Sequence, residues 1–329
     1  MGMKLGVFKV PLLAFVVGLS GAAAHVQADS TLDDAQNTTP FQPAISLRPP
    51  AVSSVNGKID YAGGDMNSET GHNFGGSVSF PIARQFGFQA DGLYSNIGCE
   101  DFYGGAGHLF WRNPESGLIG VAGGYLYRDG VDTYQIGGEG EYYLGRFTFR
   151  CFAGVSSINY DNSAPFIDTS PTCFIGRVSA DWYALDDLRL GASYTTSFDN
   201  DLFKADAEYQ TPLRGLALTA EVAVGSYDYD HWLLGVRYYF GGNKSLRDRQ
   251  RQDDPRSLMP QILYALGVYG AEFNDKGKSY VANNPEWEIH GGGYGVERIR
   301  EKSGDVVLPP FPPGDSNPPG GDVLPPFPN

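Results

Sequence analysis

From Val52 to Phe240 the chain repeats one pattern: about ten residues in which apolar and polar side chains alternate, then a short break rich in Gly, Asp, Asn or Pro. Successive side chains of a strand point to opposite faces, so each run predicts a β-strand with one apolar face. Twelve such runs fit between these residues. In the last of them Trp232, Leu234, Val236, Tyr238 and Phe240 fall on one side and Leu233, Gly235, Arg237 and Tyr239 on the other. Read in this way through all twelve runs, the apolar set contains no charged residue. Its aromatic members, among them Tyr61, Tyr94, Trp111, Tyr134, Tyr142, Trp182, Tyr194, Tyr209 and Trp232, gather toward strand ends. The opposite face carries Lys58, Asp60, Asp91, His108, Arg112, Glu139, Glu141, Arg150, Arg177, Asp181, Arg189, Lys204, Asp206, Glu208, Glu221 and Arg237. A soluble β-sandwich alternates too, but it has no reason to collect Trp and Tyr at both ends of its strands; a membrane interface does. The prediction is all-β: a twelve-stranded antiparallel transmembrane β-barrel with a charged lumen and an aromatic girdle.

The final run also carries Gly235, the spaced aromatics Tyr238 and Phe240, and a terminal Phe. It resembles the last-strand signature of Gram-negative outer-membrane β-barrel proteins of the porin-like kind. The resemblance covers about residues 52–240 and implies that these three residues are an assembly signal read by the barrel-assembly machinery. It further implies an outer-membrane location, with membrane lipid and lipopolysaccharide as surroundings. In that family the chain normally stops at the signature, whereas here 89 residues follow it.

The segments outside the repeat read differently. Lys4 and Lys9, an apolar run from Val10 to Leu19 and small residues up to Ala28 predict a signal peptide over 1–28. Residues 29–51 are polar and proline-bearing and are expected to be a linker. Residues 241–303 are expected to be a periplasmic tail, ordered in part at most, so that the barrel carries a mostly irregular C-terminal tail. Within it, Lys244–Arg256 is densely charged, with a turn or two of helix, and Ile262–Ala271 is an apolar stretch that reads as a stray strand, a lumen plug or a docking segment. Residues 304–329 repeat Gly-Asp-Val-(Val)-Leu-Pro-Pro-Phe-Pro, a spacer or a recognition segment for a periplasmic partner in which Phe311 and Phe327 would make the contact.

Net charge moves from −14 to −16 once Lys4 and Lys9 leave with the signal, which argues against nucleic acid as a partner. Cys99, Cys151 and Cys173 are an odd number for an exported chain, and a Cys99–Cys173 bridge and three free thiols are equal readings. No cofactor is expected. Each outer connection holds two acids, such as Asp65 with Glu69 and Asp199 with Asp201, and these could share divalent cations with lipopolysaccharide or serve only as turn formers; no metal site is assigned. The chain is not expected to be an enzyme, because His108, the one mid-barrel histidine, has no nucleophile at recognisable spacing. The lumen holds seven bases against eight acids. That balance suits passive, weakly selective passage of ions or small solutes. The alternative is a closed structural or interaction barrel presenting acidic outer loops and a tethering tail. Homo-oligomerisation is left open by the lipid-face glycines 105, 107, 123, 138 and 140.

Overall fold

A computed structural model describes residues 49–161, 164–213, 215–241, 244–290, 294 and 298–301. The signal peptide, most of the linker and the proline repeat with Phe311 and Phe327 lie outside the described residues. Twelve strands, β1 (Asn56–Met66), β2 (Glu69–Ala83), β3 (Phe86–Ile97), β4 (Glu100–Asn113), β5 (Gly117–Arg128), β6 (Val131–Leu144), β7 (Phe147–Tyr160), β8 (Thr172–Leu185), β9 (Leu188–Ser197), β10 (Asn200–Gln210), β11 (Leu216–Gly225) and β12 (Asp230–Phe240), form a closed antiparallel barrel. Each strand pairs with its neighbours in sequence, and β12 returns to β1, with Phe240 opposite Gly57. Closure leaves no free sheet edge, the condition for a sheet to lie in lipid.

The wall is inside-out relative to a water-soluble protein. Ile119 is 62% exposed, Leu234 60% and Ile136 61%, while Arg112 is fully buried and Lys58 is 6% exposed. The predicted girdle residues all project outward, and a row of rings, Tyr61, Phe74, Tyr94 and Tyr103, crosses four adjacent strands at centroid spacings of 4.8, 6.1 and 5.3 Å. Such an apolar, aromatic-bordered surface is stable against lipid and costly against water.

The strand ends at Asn56 and Phe240 share one rim, here the terminal mouth; the opposite rim is the far mouth. Of the far-mouth connections four, at 67–68, 98–99, 129–130 and 198–199, are two-residue turns, and only the β7–β8 connection is long. The cause is turn geometry. Asn67 and Ser68, Gly98 and Cys99, and Phe198 and Asp199 take positive φ in pairs, the tight turn whose twist matches that of the two strands it joins.

Two helices follow the wall, α1 (Leu246–Gln252) and α2 (Met259–Asn283), then a short hairpin, β13 (Trp287–His290) with β14 (Arg298–Glu301). Ser245 caps α1 by accepting from the Asp248 amide at 3.2 Å, and Leu246 packs on Ala217 and Tyr239 at the terminal mouth. The sequence reading placed residues 241–303 in the periplasm, and this is corrected for the described part: α2 lies inside the barrel. Its residues Met259, Ile262, Leu263, Leu266, Val268 and Tyr269 share one core with the lumen-facing Ile97, Phe102, Leu126, Ile158, Ile175, Leu202 and Leu233. Of the three readings of Ile262–Ala271, the lumen plug is the one observed. No helix among the described residues is long and apolar enough to cross a membrane, and α2 is sheathed by the wall instead. The end of the expected linker also folds in: Ala51 and Val52 are buried on Phe110 and Leu118, and the first strand begins at Asn56 rather than Val52.

Candidate functional site: a lumen closed by the chain's own C-terminal helix

The sixteen predicted lumen residues face inward, and most of them enter ion pairs or anchor the tail. Asp181, fully buried, meets the guanidinium of Arg150, that of Arg189 at 2.7 Å and that of Arg256 at 2.8 Å. Arg189 also reaches Asp206 at 2.5 Å and Glu208 at 3.4 Å. Glu208 accepts from Arg237 at 2.9 Å, Tyr239 at 2.5 Å and Gln250 at 3.1 Å. Lys204 bridges Asp206 and Glu221, Arg150 donates to Glu141 at 2.8 Å, and Asp60 lies 3.7 Å from Arg237. Arg177 stacks on the Phe152 ring at 5.2 Å, and Arg112 lies over Phe110 and donates to the Ala51 carbonyl. Pairs such as Arg150 with Asp181 and Lys204 with Glu221 join neighbouring strands, because inward positions oppose one another across the ladder, whereas Glu208 reaches past β11 to Arg237.

His108 sits between two carboxylates, with Nε2 3.0 Å from Asp91 and Nδ1 3.0 Å from Glu139. Both ring nitrogens are thus engaged by carboxylates. Asp91 in turn accepts from the Leu258 amide at 3.0 Å, so a wall carboxylate sits at the N-terminus of α2, where the helix dipole favours negative charge.

Sequence reasoning missed the partners that the tail supplies. Lys58 pairs with Asp254, and Gln89 donates to the Pro255 carbonyl at 3.2 Å. Arg256 joins Asp181 and Asp206, and Tyr264 donates to Glu221. Toward the far mouth Asn200 donates to Glu272 at 2.6 Å, and Tyr269 donates to the Asp168 carbonyl at 2.6 Å while stacking on Phe198 and Tyr160. A signal for this was in the wall. Lumen positions near the far mouth, such as Met66, Ile97, Phe102, Leu126, Ile158 and Ile175, are apolar, although their lipid-side neighbours are apolar too. Two apolar faces on one sheet require an apolar occupant within.

The closure is tight. A Cβ at Gly104 of the wall would lie 2.2 Å from Met259 Cε, and one at Gly124 would lie 2.8 Å from Ile262 Cδ1. On the helix, a Cβ at Gly267 would lie 2.1 Å from the Tyr294 hydroxyl. Between the charged groups are cavities of about 110 Å³, beside Lys58, Arg189, Lys204 and Glu221, and about 40 Å³, beside Glu141, Arg150 and Arg177. Each has room for a cluster of waters and no more. Gly267→Leu should keep α2 helical, since leucine favours a helix over glycine, yet displace Tyr294. The expected result is faster proteolysis of residues 284–301 in a barrel that still changes gel mobility on heating.

The remaining expectations concern the rims and the seam. At the seam Tyr238 and Phe240 stack edge-on at 5.1 Å, and Gly235 faces a wall in which a Cβ would lie 2.5 Å from the Tyr61 carbonyl. Cys99, Cys151 and Cys173 are free thiols. The far-mouth acids bond to their own turns and girdle: Asp101 accepts from Tyr94 at 2.9 Å and Asp201 from Tyr194 at 2.6 Å. Among the described residues no three His, Cys, Asp or Glu side chains converge on a point that could hold a metal. A lipid-compatible wall, a closed ladder and a polar lumen now stand together.

The chain folds as a twelve-stranded β-barrel of the outer-membrane type. No protein-family model matches it, nor does any curated protein sequence. Solved structures similar to it include the KdgM porin, at 14% identity and a TM-score of 0.42 over 56% of this chain and 99% of the porin. Others are the outer membrane protein Omp33 of Acinetobacter baumannii, at 15% identity and 0.36 over 56% and 98%, and an outer membrane channel of Pseudomonas putida F1, at 9% identity and 0.40 over 59% and 98%. The fold assignment rests on the hydrogen-bonded closure of β12 on β1 and on the outward apolar band.

Proposed function

We propose that the protein is an outer-membrane barrel that conducts ions or small solutes through a charge-lined lumen, and that α2 holds this lumen closed until it is displaced. The observation that carries the reading is that α2 and its lead-in are bonded to wall carboxylates and bases from one end of the lumen to the other, from Gln250 on Glu208 to Glu272 on Asn200. None of these contacts belongs to the strand ladder, so a displaced plug leaves all twelve strands paired. The structural alternative, a permanently closed barrel that presents its acidic rim, draws on the same closure and differs in one respect: it never conducts.

Once open, the lumen is expected to discriminate weakly between anions and cations, because seven wall bases face eight wall acids. Neutralising Arg189 and Lys204 together in a chain ending at Phe240 should shift the reversal potential in a salt gradient toward cation preference. An unshifted potential would mean that these side chains do not line the path. Conductance of the full chain and of that shortened chain in planar bilayers tests the reading itself. Silence from both, in protein shown to be folded by its heat-dependent mobility, would leave the structural alternative.

A further inference from the structure

Contacts taken in chain order give the tail a direction. Arg251, in α1, donates to the Gly145 carbonyl at 2.9 Å, on a turn of the terminal mouth. Leu258 is bonded to Asp91, part-way along the wall. Tyr269 is bonded to the Asp168 carbonyl in the β7–β8 connection of the far mouth, and Phe273 packs against Phe166 in the same connection. With 25 residues at 1.5 Å each, α2 is about 37 Å long, enough to run from the middle of the wall to beyond its rim. After α2 the chain folds back once, so that Tyr294 returns to the far mouth, and the antiparallel hairpin then carries it outward again. Trp287 lies edge-on to Tyr280, and Glu301, the last described residue, pairs with Trp287. Tyr294 pins this arrangement: it is fully buried, its hydroxyl lies 2.8 Å from that of Tyr229 and donates to the Leu263 carbonyl, and its ring meets Phe102 edge-on.

We infer that the C-terminal segment is threaded through the barrel and leaves it at the mouth opposite the wall's own termini, so that the duplicated Leu-Pro-Pro-Phe-Pro segments (308–312 and 324–328) are displayed outside the cell. The inference rests on the outer-membrane reading, in which a barrel of even strand number keeps both strand termini in the periplasm. Phe311 and Phe327 then face away from the periplasm. What the tail offers is a bivalent, proline-rich ligand, with Phe311 and Phe327 sixteen residues apart, suited to a protein outside the cell that carries aromatic-lined grooves. The plug thereby has a second role, as the stalk of a surface-exposed segment.

The test uses the full chain in cells, with an epitope either after Asn329 or inserted between Gly242 and Asn243. The first epitope should bind antibody on intact cells as strongly as on permeabilised cells, and added protease should remove it while the heat-modifiable barrel survives. The second should bind only after permeabilisation. If the Asn329 epitope is shielded in intact cells while the protein still fractionates with the outer membrane and shifts on heating, the threading is wrong and the barrel reading stands. A protein that does not enter the outer membrane overturns both.

Discussion

A chain ending at Phe240 should conduct where the full chain is silent, with discrete current steps at least an order of magnitude above the full chain's baseline in a planar bilayer. The shortened chain loses α1, α2 and every tail anchor at once, yet keeps all twelve strands and the β1–β12 seam, and it ends on the aromatic residue at which barrels of this kind normally stop. Removal of α2 also exposes the apolar lumen face formed by Ile97, Phe102, Leu126, Ile158 and Ile175. Each such side chain forfeits about 1.5–3 kcal/mol of burial, so the shortened barrel should unfold at a lower denaturant concentration than the full chain. Equal unfolding midpoints would mean that α2 does not occupy the lumen in solution.

The second large effect is expected at Asp181. Its carboxylate is shared by Arg150, Arg189 and Arg256 and is closed off from water. Asp181→Ala leaves three guanidinium groups facing one another in a partly dehydrated space. Breaking a buried ion pair from one side costs about 3–5 kcal/mol, and the loss should appear in denaturant unfolding followed by the mobility of the folded band. Adding Arg256→Met to Asp181→Ala should recover part of it by removing one of the crowded guanidinium charges, leaving Asp206 to Arg189 and Lys204. Because Arg256 belongs to the tail, Asp181→Ala should also loosen the plug and raise the full chain's conductance. A loss below about 0.5 kcal/mol, the scale of an ordinary surface substitution, would show that the network is not dry.

The wall was legible in the sequence because a strand with lipid on one side and a polar lumen on the other writes its environment as a period of two. Ile59 and Lys58, or Trp111 and Arg112, are adjacent in the chain and opposite in surroundings. The helix was not legible in the same way. A helix that packs on one surface shows a periodic apolar stripe, but from Leu263 to Asn274 every residue of α2 is buried because the wall surrounds it, so no stripe forms. Its last two turns mix Lys278, Ser279 and Asn283 with Tyr280 and Val281, which hid its length: the apolar stretch ends at Ala271, twelve residues before the helix does. The tail's anchors were hidden for a related reason. Asp254, Arg256 and Gln250 sit in a dense run of charge that reads as solvated, and only the fold brings them to Lys58, Asp181 and Glu208, 196, 75 and 42 residues away in sequence. The wall charges did point to this in one respect, since a lumen with eight acids and seven bases needs no free counter-ion and can close on itself.

Occupation of the lumen by α2 is tested most directly by cross-linking in native membranes. With Cys99, Cys151 and Cys173 replaced by serine, the pair Ala106→Cys and Ile262→Cys places one thiol on the wall and one on the helix, at side chains that each reach to 2.8 Å from where a Cβ on Gly124 would lie. A short bifunctional thiol reagent should join the two in high yield, closing a loop of chain that alters the mobility of the heat-denatured protein. If each cysteine reacts singly but the two never join, α2 is not in the barrel.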